Sequence, residues 1–170
     1  MQKISLIAAI TENHVIGNNQ KLLWNLEKDM NFFVEKTKNH NVIMGRKNFF
    51  SIPEKFRPLK NRTNIIVTKN TNLKLSNCII KNSIEEAIKF AMLSNDNEPF
   101  IIGGGEIYKY VILNDLVSKM YITRIKTFLK GDTYFPSINK DKWKEKLIFN
   151  QKIDKKHKYE FNVYQYTFRN

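Results

Sequence analysis

The feature of this sequence that most constrains its fold is a series of short, unbroken apolar runs separated by segments with helical spacing. The runs span residues 4–10, 42–45, 64–68 and 100–102. Each has the length of a strand, and apolar residues without alternation are typical of strands buried on both faces. Such strands, alternating with helices, assemble into a sheet with helices on its faces. We therefore predict a three-layer α/β/α fold around a mixed, mainly parallel sheet, with a ligand cleft beside the carboxyl ends of the strands.

Length and residue usage narrow the class of protein further. The 170 residues suit one domain, spanning 1–170, with a sizeable core. No apolar run is long enough to cross a bilayer, so we expect no membrane span and no membrane partner. Cys78 is the only cysteine, which excludes an internal disulfide, and we expect a cytoplasmic protein. His14, His40 and His157 lack metal-ligand spacing, so we expect no metal site.

The formal net charge of +13 comes from lysines spread along the chain. These basic residues form no compact arm and no arginine-rich helix with aromatic residues between them. A solvated, lysine-rich surface that attracts small polyanions is therefore the simpler interpretation, and we expect no nucleic-acid partner. A basic nucleic-acid-binding protein is the alternative from another functional class, and it predicts clustered charge with exposed stacking aromatics.

A helix carrying an unusual acid is predicted from Asn25, as its N-cap, to about Thr37. With about 100° per residue, its apolar face carries Leu26, Met30, Phe33, Val34 and Thr37. Asp29 falls at the margin of this face. Loss of solvation there raises the pKa of a carboxyl group, which can then help to deliver a proton near neutral pH. Taken alone, Asp29 is more simply a surface acid stabilised by the helix dipole.

Three further segments have the features of a binding site. Residues 11–23 are predicted to form a loop of about a dozen residues that acts as a lid over Asp29. A strand ends at Gly45 where a short basic helix begins, and another strand enters the triple glycine 103–105 before a helix. Helix N-termini after parallel strands present free amides to an anion. The triple glycine is not the dinucleotide fingerprint, because Tyr108 occupies its sixth position.

The remaining segments are predicted to be mainly structural. The alternating residues 118–129 and 158–168 are interpreted as strands, and the second of these pairs with a strand near Ile148. The turn at residues 155–158 is interpreted as a solvated hairpin tip. The basic turn at residues 57–62 either binds a carboxylate or is solvated.

Several of these segments together resemble the dihydrofolate reductase family over nearly the whole chain. The motifs are short, but their order and spacing are specific: Leu6-Ile7-Ala8-Ala9, Val15-Ile16-Gly17, Trp24-Asn25-Leu26 with Asp29, Val42-Ile43-Met44-Gly45-Arg46, Arg57-Pro58-Leu59 with Arg62, Ile102-Gly103-Gly104-Gly105 with Tyr108, Tyr121-Ile122-Thr123, and Gly131-Asp132-Thr133 with Phe135-Pro136. The resemblance implies NADPH-dependent reduction of dihydrofolate to tetrahydrofolate, which supports thymidylate, purine and one-carbon metabolism. It also implies binding of antifolate-type inhibitors, and we expect a monomer.

The resemblance assigns roles in substrate binding and proton supply. Hydride would pass from the nicotinamide to C6 of the pterin, while Asp29 promotes protonation of N5. Thr123 would support this carboxylate, and Trp24 and Leu22 complete the catalytic set. Arg62 would bind the glutamate α-carboxylate through a bidentate pair, which lysine cannot form. The other substrate-binding positions implied are Ile7, Ala8, Ala9, Phe33, Ile52, Arg57, Leu59 and Ile102.

The resemblance also implies a site for NADPH, with Arg46 near the 2′-phosphate. It implies a cis peptide between Gly103 and Gly104, and an outer-loop acid, Asp132, that steadies the closed lid. The cofactor-binding positions implied are Ala9, Ile16, Gly17, Gly45, Arg46, Lys47, Asn48, Thr68, Lys69, Gly103, Gly104, Gly105, Glu106, Ile107 and Tyr108.

Three positions depart from the family pattern. Leu23 replaces a common proline, so we expect a less stiff lid. Asn48 replaces a threonine that contacts a phosphate, and its amide can still donate. Glu106 replaces an arginine found near the cofactor phosphates in some relatives, and Lys69 supplies compensating charge. The alternative within the same fold is a reductase of a ribosylated pyrimidine in riboflavin synthesis, but the segment from Trp24 to Asp29 favours dihydrofolate.

Overall fold

The computed structural model describes residues 4–169. Its strands are β1 (Ser5–Thr11), β2 (Val15–Gly17), β3 (Asn41–Gly45), β4 (Thr63–Val67), β5 (Cys78–Lys81), β6 (Phe100–Ile101), β7 (Lys119–Ile125), β8 (Thr133–Tyr134), β9 (Trp143–Gln151) and β10 (Phe161–Phe168). Its α-helices are α1 (Glu27–Thr37), α2 (Arg46–Ser51), α3 (Ile84–Leu93) and α4 (Gly105–Leu113), and a 3-10 turn spans Glu54–Phe56.

One large sheet organises the structure. Its eight strands follow the order β5-β4-β3-β6-β1-β7-β10-β9, and β2 and β8 form a separate pair. The neighbours from β5 through to β7 are parallel, whereas β10 runs antiparallel to both β7 and β9. Helices α3 and α4 pack on one face, and α1 and α2 pack on the other. The predicted three-layer fold around a mixed, mainly parallel sheet is therefore confirmed.

The unbroken apolar runs supply two cores, one on each face of the sheet. Ile43 and Ile65 pack with α3 and α4, whereas Val42, Met44 and Ile66 pack with α1 and α2. Successive residues of these strands are fully buried because both faces are covered by helices. Burial of each such side chain contributes about 1.5–3 kcal/mol to folding. This explains why the runs lack the alternation of a half-exposed strand.

Helix α1 departs from its prediction at its start and in its orientation. Its N-cap is Leu26, so the prediction that Asn25 caps the helix is wrong. The helix buries Phe32, whose ring lies 5.9 Å from that of Tyr121, while Met30 and Val34 stay 48% and 41% exposed. The Phe32 ring also packs edge-on against that of Phe149 at 5.6 Å, so contacts with two aromatic rings of the sheet favour this rotation. Asp29, three residues before Phe32, is thereby placed on the packed side of the helix.

Two predicted segments have different bounds in the structure. Residues 11–23 are not one continuous loop, because β2 pairs with β8 and an isolated bridge joins Asn18 to Lys21. The strand predicted at 118–129 is the shorter β7, and the strand predicted at 158–168 begins at Phe161. The predicted pairing of β10 with a strand near Ile148 is confirmed, since Ile148 lies in β9.

The described residues include neither a membrane-spanning helix nor a cluster of metal-binding side chains. No helix within residues 4–169 is both long enough and apolar enough to span a bilayer. In the same part of the chain, no group of three or more His, Cys, Asp or Glu side chains could hold a metal ion.

Candidate active site

The predicted binding segments meet at one edge of the sheet. Strands β1, β3, β4 and β6 run parallel, so their carboxyl ends lie together. The amide of Gly45, the last residue of β3, donates to the carbonyl of Gly103, after β6, at 2.9 Å. This bond joins the two turns that were predicted to bind an anion.

Asp29 faces the sheet beside this edge, where Thr123 of β7 lies next to Ala9 of β1. The Thr123 hydroxyl donates a hydrogen bond of 2.6 Å to Asp29 Oδ1. Desolvation raises the pKa of Asp29 to about 6, although the bond from Thr123 acts in the opposite direction. The carboxyl group is therefore held in one orientation and can exchange a proton near neutral pH.

Trp24 brings an unused hydrogen-bond donor to the same region. Its indole is buried, and Nε1 has no hydrogen-bond partner within residues 4–169. A buried N–H group without an acceptor costs free energy, so this donor favours a ligand or water that accepts from it. Leu22, two residues earlier, is 53% exposed.

The predicted substrate-lining side chains divide between the two faces of the sheet. Most belong to the core cluster that contains Trp24, and these are Ile7, Ala9, Phe33, Ile52, Leu59 and Ile102. Ala8 instead packs on the opposite face with Ile16, Ile107 and Tyr108, which were assigned to the cofactor. The Tyr108 hydroxyl donates to the Ile7 carbonyl at 2.8 Å and so fixes helix α4 to β1.

Arg62 lies against the C-terminal half of α1 with part of its guanidinium uncommitted. Nε donates to Thr37 Oγ1 at 3.0 Å, one terminal nitrogen donates to the Lys60 carbonyl, and the other donates to the Val34 carbonyl. The guanidinium carbon is 5.9 Å from the centre of the Phe33 ring. A guanidinium has five N–H groups, so about two remain for a carboxylate beside Phe33.

Arg57 uses its guanidinium differently. One terminal nitrogen donates to the carbonyls of Phe50 and Ile52 at 2.8 and 3.0 Å. The side chain therefore holds the segment that carries Ile52. Its assignment to direct substrate binding stays a prediction.

The two glycine-bearing turns form the floor of the predicted cofactor site. Arg46 and Lys47 are exposed in the first turn of α2, whose N-cap is Gly45. The predicted cis peptide between Gly103 and Gly104 is present, and Gly103 has a φ of +114°. A Cβ added at Gly104 would meet no atom within 4 Å, so the backbone there borders open space. This space admits the close approach of a phosphate group.

Other predicted cofactor residues have their own contacts. The Asn48 side-chain amide donates to the Ile102 carbonyl at 3.1 Å, which commits one of its two N–H groups. Thr68 is buried after β4, and its hydroxyl accepts from the Asn70 amide at 3.1 Å. Lys69 and Glu106 are both exposed.

The lid is attached to the loop before β8. Asp132 Oδ2 accepts a 2.8 Å hydrogen bond from the Asn19 amide, and the Asp132 amide donates to the Gly17 carbonyl. The bond from Asn19 lowers the pKa of Asp132, so this acid is ionised at neutral pH. Asp132 therefore contacts the segment that is predicted to be the lid, and its role in steadying a closed lid stays a prediction.

One residue beside the site was missed by the sequence analysis. His157 was interpreted as part of a solvated hairpin tip, but it is buried, with only 4% of its surface exposed. Its Nε2 accepts a 3.1 Å hydrogen bond from the amide of Lys28, the residue before Asp29. The contact spans 129 positions in sequence, and no local pattern around His157 indicates it.

Comparisons with known proteins agree with this geometry. The family model described as dihydrofolate reductase matches residues 3–168. The dihydrofolate reductase of Staphylococcus haemolyticus is 40% identical over 165 residues, covering 96% of this chain and 95% of the relative. That of Buchnera aphidicola subsp. Baizongia pistaciae is 39% identical, covering 98% and 95%.

A solved structure extends the similarity to three dimensions. Dihydrofolate reductase from Enterococcus faecalis, complexed with NADP(H) and RAB-propyl, superposes with a TM-score of 0.90 at 30% identity. The match covers 99% of this chain and 98% of the other. With a family match along nearly its full length and an acid–threonine pair in the sheet cleft, this chain belongs to the dihydrofolate reductase family.

Proposed function

We propose that this protein reduces 7,8-dihydrofolate to 5,6,7,8-tetrahydrofolate with NADPH, and that the residues described above carry out the reaction. The observation that carries the assignment of residues is the bond between Thr123 and Asp29 at the cleft. Bound NADPH supplies the hydride that C6 of the pterin receives. The protein's own groups then have to orient the pterin, supply a proton to N5 and exclude bulk water.

Asp29 promotes protonation of N5. A carboxyl group with a pKa of about 6 is protonated in about one-tenth of the molecules at pH 7. An ordinary Asp is protonated in fewer than about one in a thousand. The ionised form can hold the amino group and ring nitrogen of the pterin. The N–H of Trp24, which has no hydrogen-bond partner among residues 4–169, supports this proposal because it can orient an acceptor beside the reacting ring.

Arg62 and the apolar side chains bind the rest of the substrate. The two uncommitted N–H groups of Arg62 suit the glutamate α-carboxylate, and charge-assisted bonds of this kind are strong. Phe33 and Ile52 flank the pterin and the aminobenzoyl group. Arg57 contributes indirectly, because it holds the backbone at Ile52.

The cofactor binds along the two joined turns. Gly45, Arg46 and Lys47 meet the phosphates, and the open space beside Gly104 supports close approach of the pyrophosphate. The exposed Arg46 suits the 2′-phosphate that distinguishes NADPH from NADH. Lys69 offsets the charge of Glu106. The lid residues Ile16, Gly17 and Leu22 cover the nicotinamide side of the site.

The same proposal includes the wider setting of the enzyme. One catalytic domain, spanning 1–170, acts as a monomer in the cytoplasm and binds antifolate-type inhibitors at the substrate site. The family match from residue 3 to residue 168 supports the single domain. No nucleic acid takes part, and the lysine-rich surface attracts the anionic substrates.

The experiment that tests the proposal follows the loss of reduced-nicotinamide absorbance with dihydrofolate, using NADPH or NADH, from pH 5 to pH 9. We expect turnover with NADPH preferred. Asp29→Asn removes the titrating group, so its rate should fall about 100-fold at pH 7 and by less at lower pH, where protons from solvent compensate for the lost acid. Glu35→Gln, which changes an exposed acid on the same helix, is the matched control and should behave as wild type.

Two results would contradict the proposal in different ways. A folded wild-type protein that does not turn over dihydrofolate would exclude the reaction and favour the pyrimidine reductase. Full activity of Asp29→Asn across the pH range would keep the reaction but remove Asp29 from the supply of protons.

A further inference from the structure

Helix α1 begins without a cap from its own sequence. Its N-cap is Leu26, and no side chain of that residue can accept a hydrogen bond from the first-turn amides. These amides have no intrahelical acceptors, so they require partners from elsewhere in the protein. Asp29 is the third residue of this turn, which makes the order of the turn important to the carboxyl group.

The missing cap is provided by the turn between β9 and β10. His157 Nε2 lies 3.1 Å from the amide nitrogen of Lys28, and His157 Nδ1 lies 2.7 Å from Asp154 Oδ1. A backbone N–H can only donate, so Nε2 must carry a lone pair. Nδ1 then carries the proton and donates it to Asp154. The imidazole is therefore neutral in this arrangement, and Asp154 selects its tautomer.

Further contacts fix the same turn and the preceding strand β9 to the helix. Lys156 Nζ is 2.8 Å from the Glu27 carboxylate, and Lys28 Nζ lies 5.2 Å from the centre of the Phe149 ring. The imidazole itself packs beside the ring of Phe161, with 5.9 Å between centroids. The Lys156 pair is exposed, so it contributes little on its own. The buried contact through His157 is the one able to hold the backbone.

We propose that His157, oriented by Asp154, is a positioning residue that fixes the first turn of α1 and with it the carboxyl group of Asp29. The inference rests on the proposed function, in which Asp29 promotes protonation of the substrate. The charged side chains on this turn are Asp154, Lys155, Lys156 and Lys158, and those at the facing start of α1 are Glu27 and Lys28. Among the described residues, Asp154 is the one whose charge reaches a ring nitrogen at hydrogen-bond distance.

Loss of the cap changes the setting of Asp29 in a defined direction. The freed Lys28 amide leaves the positive end of the helix uncompensated, which favours the carboxylate. A looser first turn also admits water to Asp29 and reduces its desolvation. Both effects lower the pH at which Asp29 titrates. A contact that served stability alone would leave that titration unchanged.

The test compares two substitutions of the imidazole. His157→Phe keeps a ring beside Phe161 but removes the acceptor, whereas His157→Gln keeps an acceptor for Lys28 and a donor for Asp154. The Asp29 carboxyl group is titrated by ¹³C NMR, and the rate of hydride transfer is measured against pH. In His157→Phe, both midpoints should fall by about half a pH unit, the size of a helix-terminus effect on a nearby charge. In His157→Gln, they should stay at the wild-type values.

Three outcomes would overturn the proposal. One is a wild-type midpoint in His157→Phe. Another is a shift in Lys156→Ala as large as that in His157→Phe, which would assign the effect to the surface pair. The third is a ¹⁵N spectrum in which wild-type His157 carries its proton on Nε2 at neutral pH.

A second variant and a readout that is independent of turnover keep the proposal testable. If His157→Phe does not fold, Asp154→Asn is tested instead. Asp154 is half-exposed, and its replacement weakens the hydrogen bond that orients the imidazole. Its Asp29 midpoint should shift in the same direction by a smaller amount, and an unchanged midpoint would overturn the proposal. The NMR titration requires no turnover, so it gives the same answer even if dihydrofolate is not the substrate.

Discussion

At the scale of single residues, Asp29 is an acid whose position costs stability. Its pKa rises from 3.8 in the unfolded chain to about 6 in the fold, chiefly through desolvation. The folded state therefore binds more protons than the unfolded state between these values, and stability falls as the pH rises through this window. A difference of about two units corresponds to about 3 kcal/mol once the group is ionised.

Asp29→Asn should therefore stabilise the protein at neutral pH while it impairs catalysis. The amide is neutral at all pH values, and its oxygen can still accept from Thr123. We expect the free energy of unfolding in urea to exceed that of wild type by up to about 3 kcal/mol at pH 7. Below about pH 3 the two proteins should be equally stable, because the wild-type acid is then largely protonated in both states.

The same measurement can refute this account of Asp29. If Asp29→Asn is less stable than wild type at pH 7, the carboxylate is stabilised by the fold, and its desolvation is not the dominant effect. Glu35→Gln, on the exposed face of the same helix, controls for the removal of a negative charge.

At the scale of elements, the lid depends on a strand pair outside the main sheet. β2 pairs with β8, and Asp132 next to β8 accepts from the Asn19 amide at 2.8 Å. A Cβ at Gly105 of α4 would come within 2.9 Å of Thr133 Cγ2. The β2–β8 pair therefore lies against the start of α4, at the predicted pyrophosphate site.

Asp132→Ala should loosen the lid without changing the pKa of Asp29. It removes the acceptor of the Asn19 amide, so we expect the rate of hydride transfer to fall roughly 3- to 10-fold. The pH midpoint of the rate should stay where Asp29 sets it. Stopped-flow measurements across the pH range check both expectations, with the exposed Asp141→Asn as the control for charge. A shifted midpoint would show that the lid acts through Asp29 and not by closure.

The difference between predicted and observed elements has a physical pattern. The strands were predictable because their apolar runs record burial on both faces, as at Ile43 and Ile65. The family motifs located Asp29 and Thr123. The orientation of α1 was not predictable from its own periodicity, because the ring of Tyr121 selects Phe32 for burial. The role of His157 was likewise hidden, since its partner lies 129 positions away.

At the scale of the whole molecule, acids at the two edges of the sheet where its parallel strands begin and end have pKa values that are shifted in opposite directions. Asp29 at the carboxyl edge has a raised pKa, whereas Asp96 and Glu98 near the start of β6 have lowered pKa values. Burial alone would raise the pKa of Asp96, but hydrogen bonds from Asn41 and His40 outweigh it. These two acids stabilise the folded state at pH values above their pKa in the unfolded chain. This contribution is lost as the pH falls through their lower pKa values in the folded protein.

Asp96→Asn should therefore destabilise the fold without altering the reaction. Asp96 accepts from the Asn41 amide at 2.5 Å and from His40 Nδ1 at 2.6 Å, and its side chain is almost fully buried. We expect a loss of about 2 kcal/mol in unfolding free energy at pH 7, as for bonds to a buried charge.

The control for Asp96→Asn is the catalytic activity of the variant. Measured well below the unfolding temperature, kcat and its pH midpoint should equal the wild-type values, because the substitution lies at the far edge of the sheet. A changed midpoint would mean that the two edges are coupled.

The position of β10 has a consequence for synthesis on the ribosome. This strand lies between β7 and β9, and it contributes Phe161 and Val163 to one core and Tyr166 to the other. A nascent chain that has not yet released β10 leaves the backbone groups along one edge of β7 unpaired. That edge includes Thr123, the partner of Asp29. The enzyme therefore completes its sheet only when β10 has left the exit tunnel, and until then an exposed strand edge needs protection from aggregation.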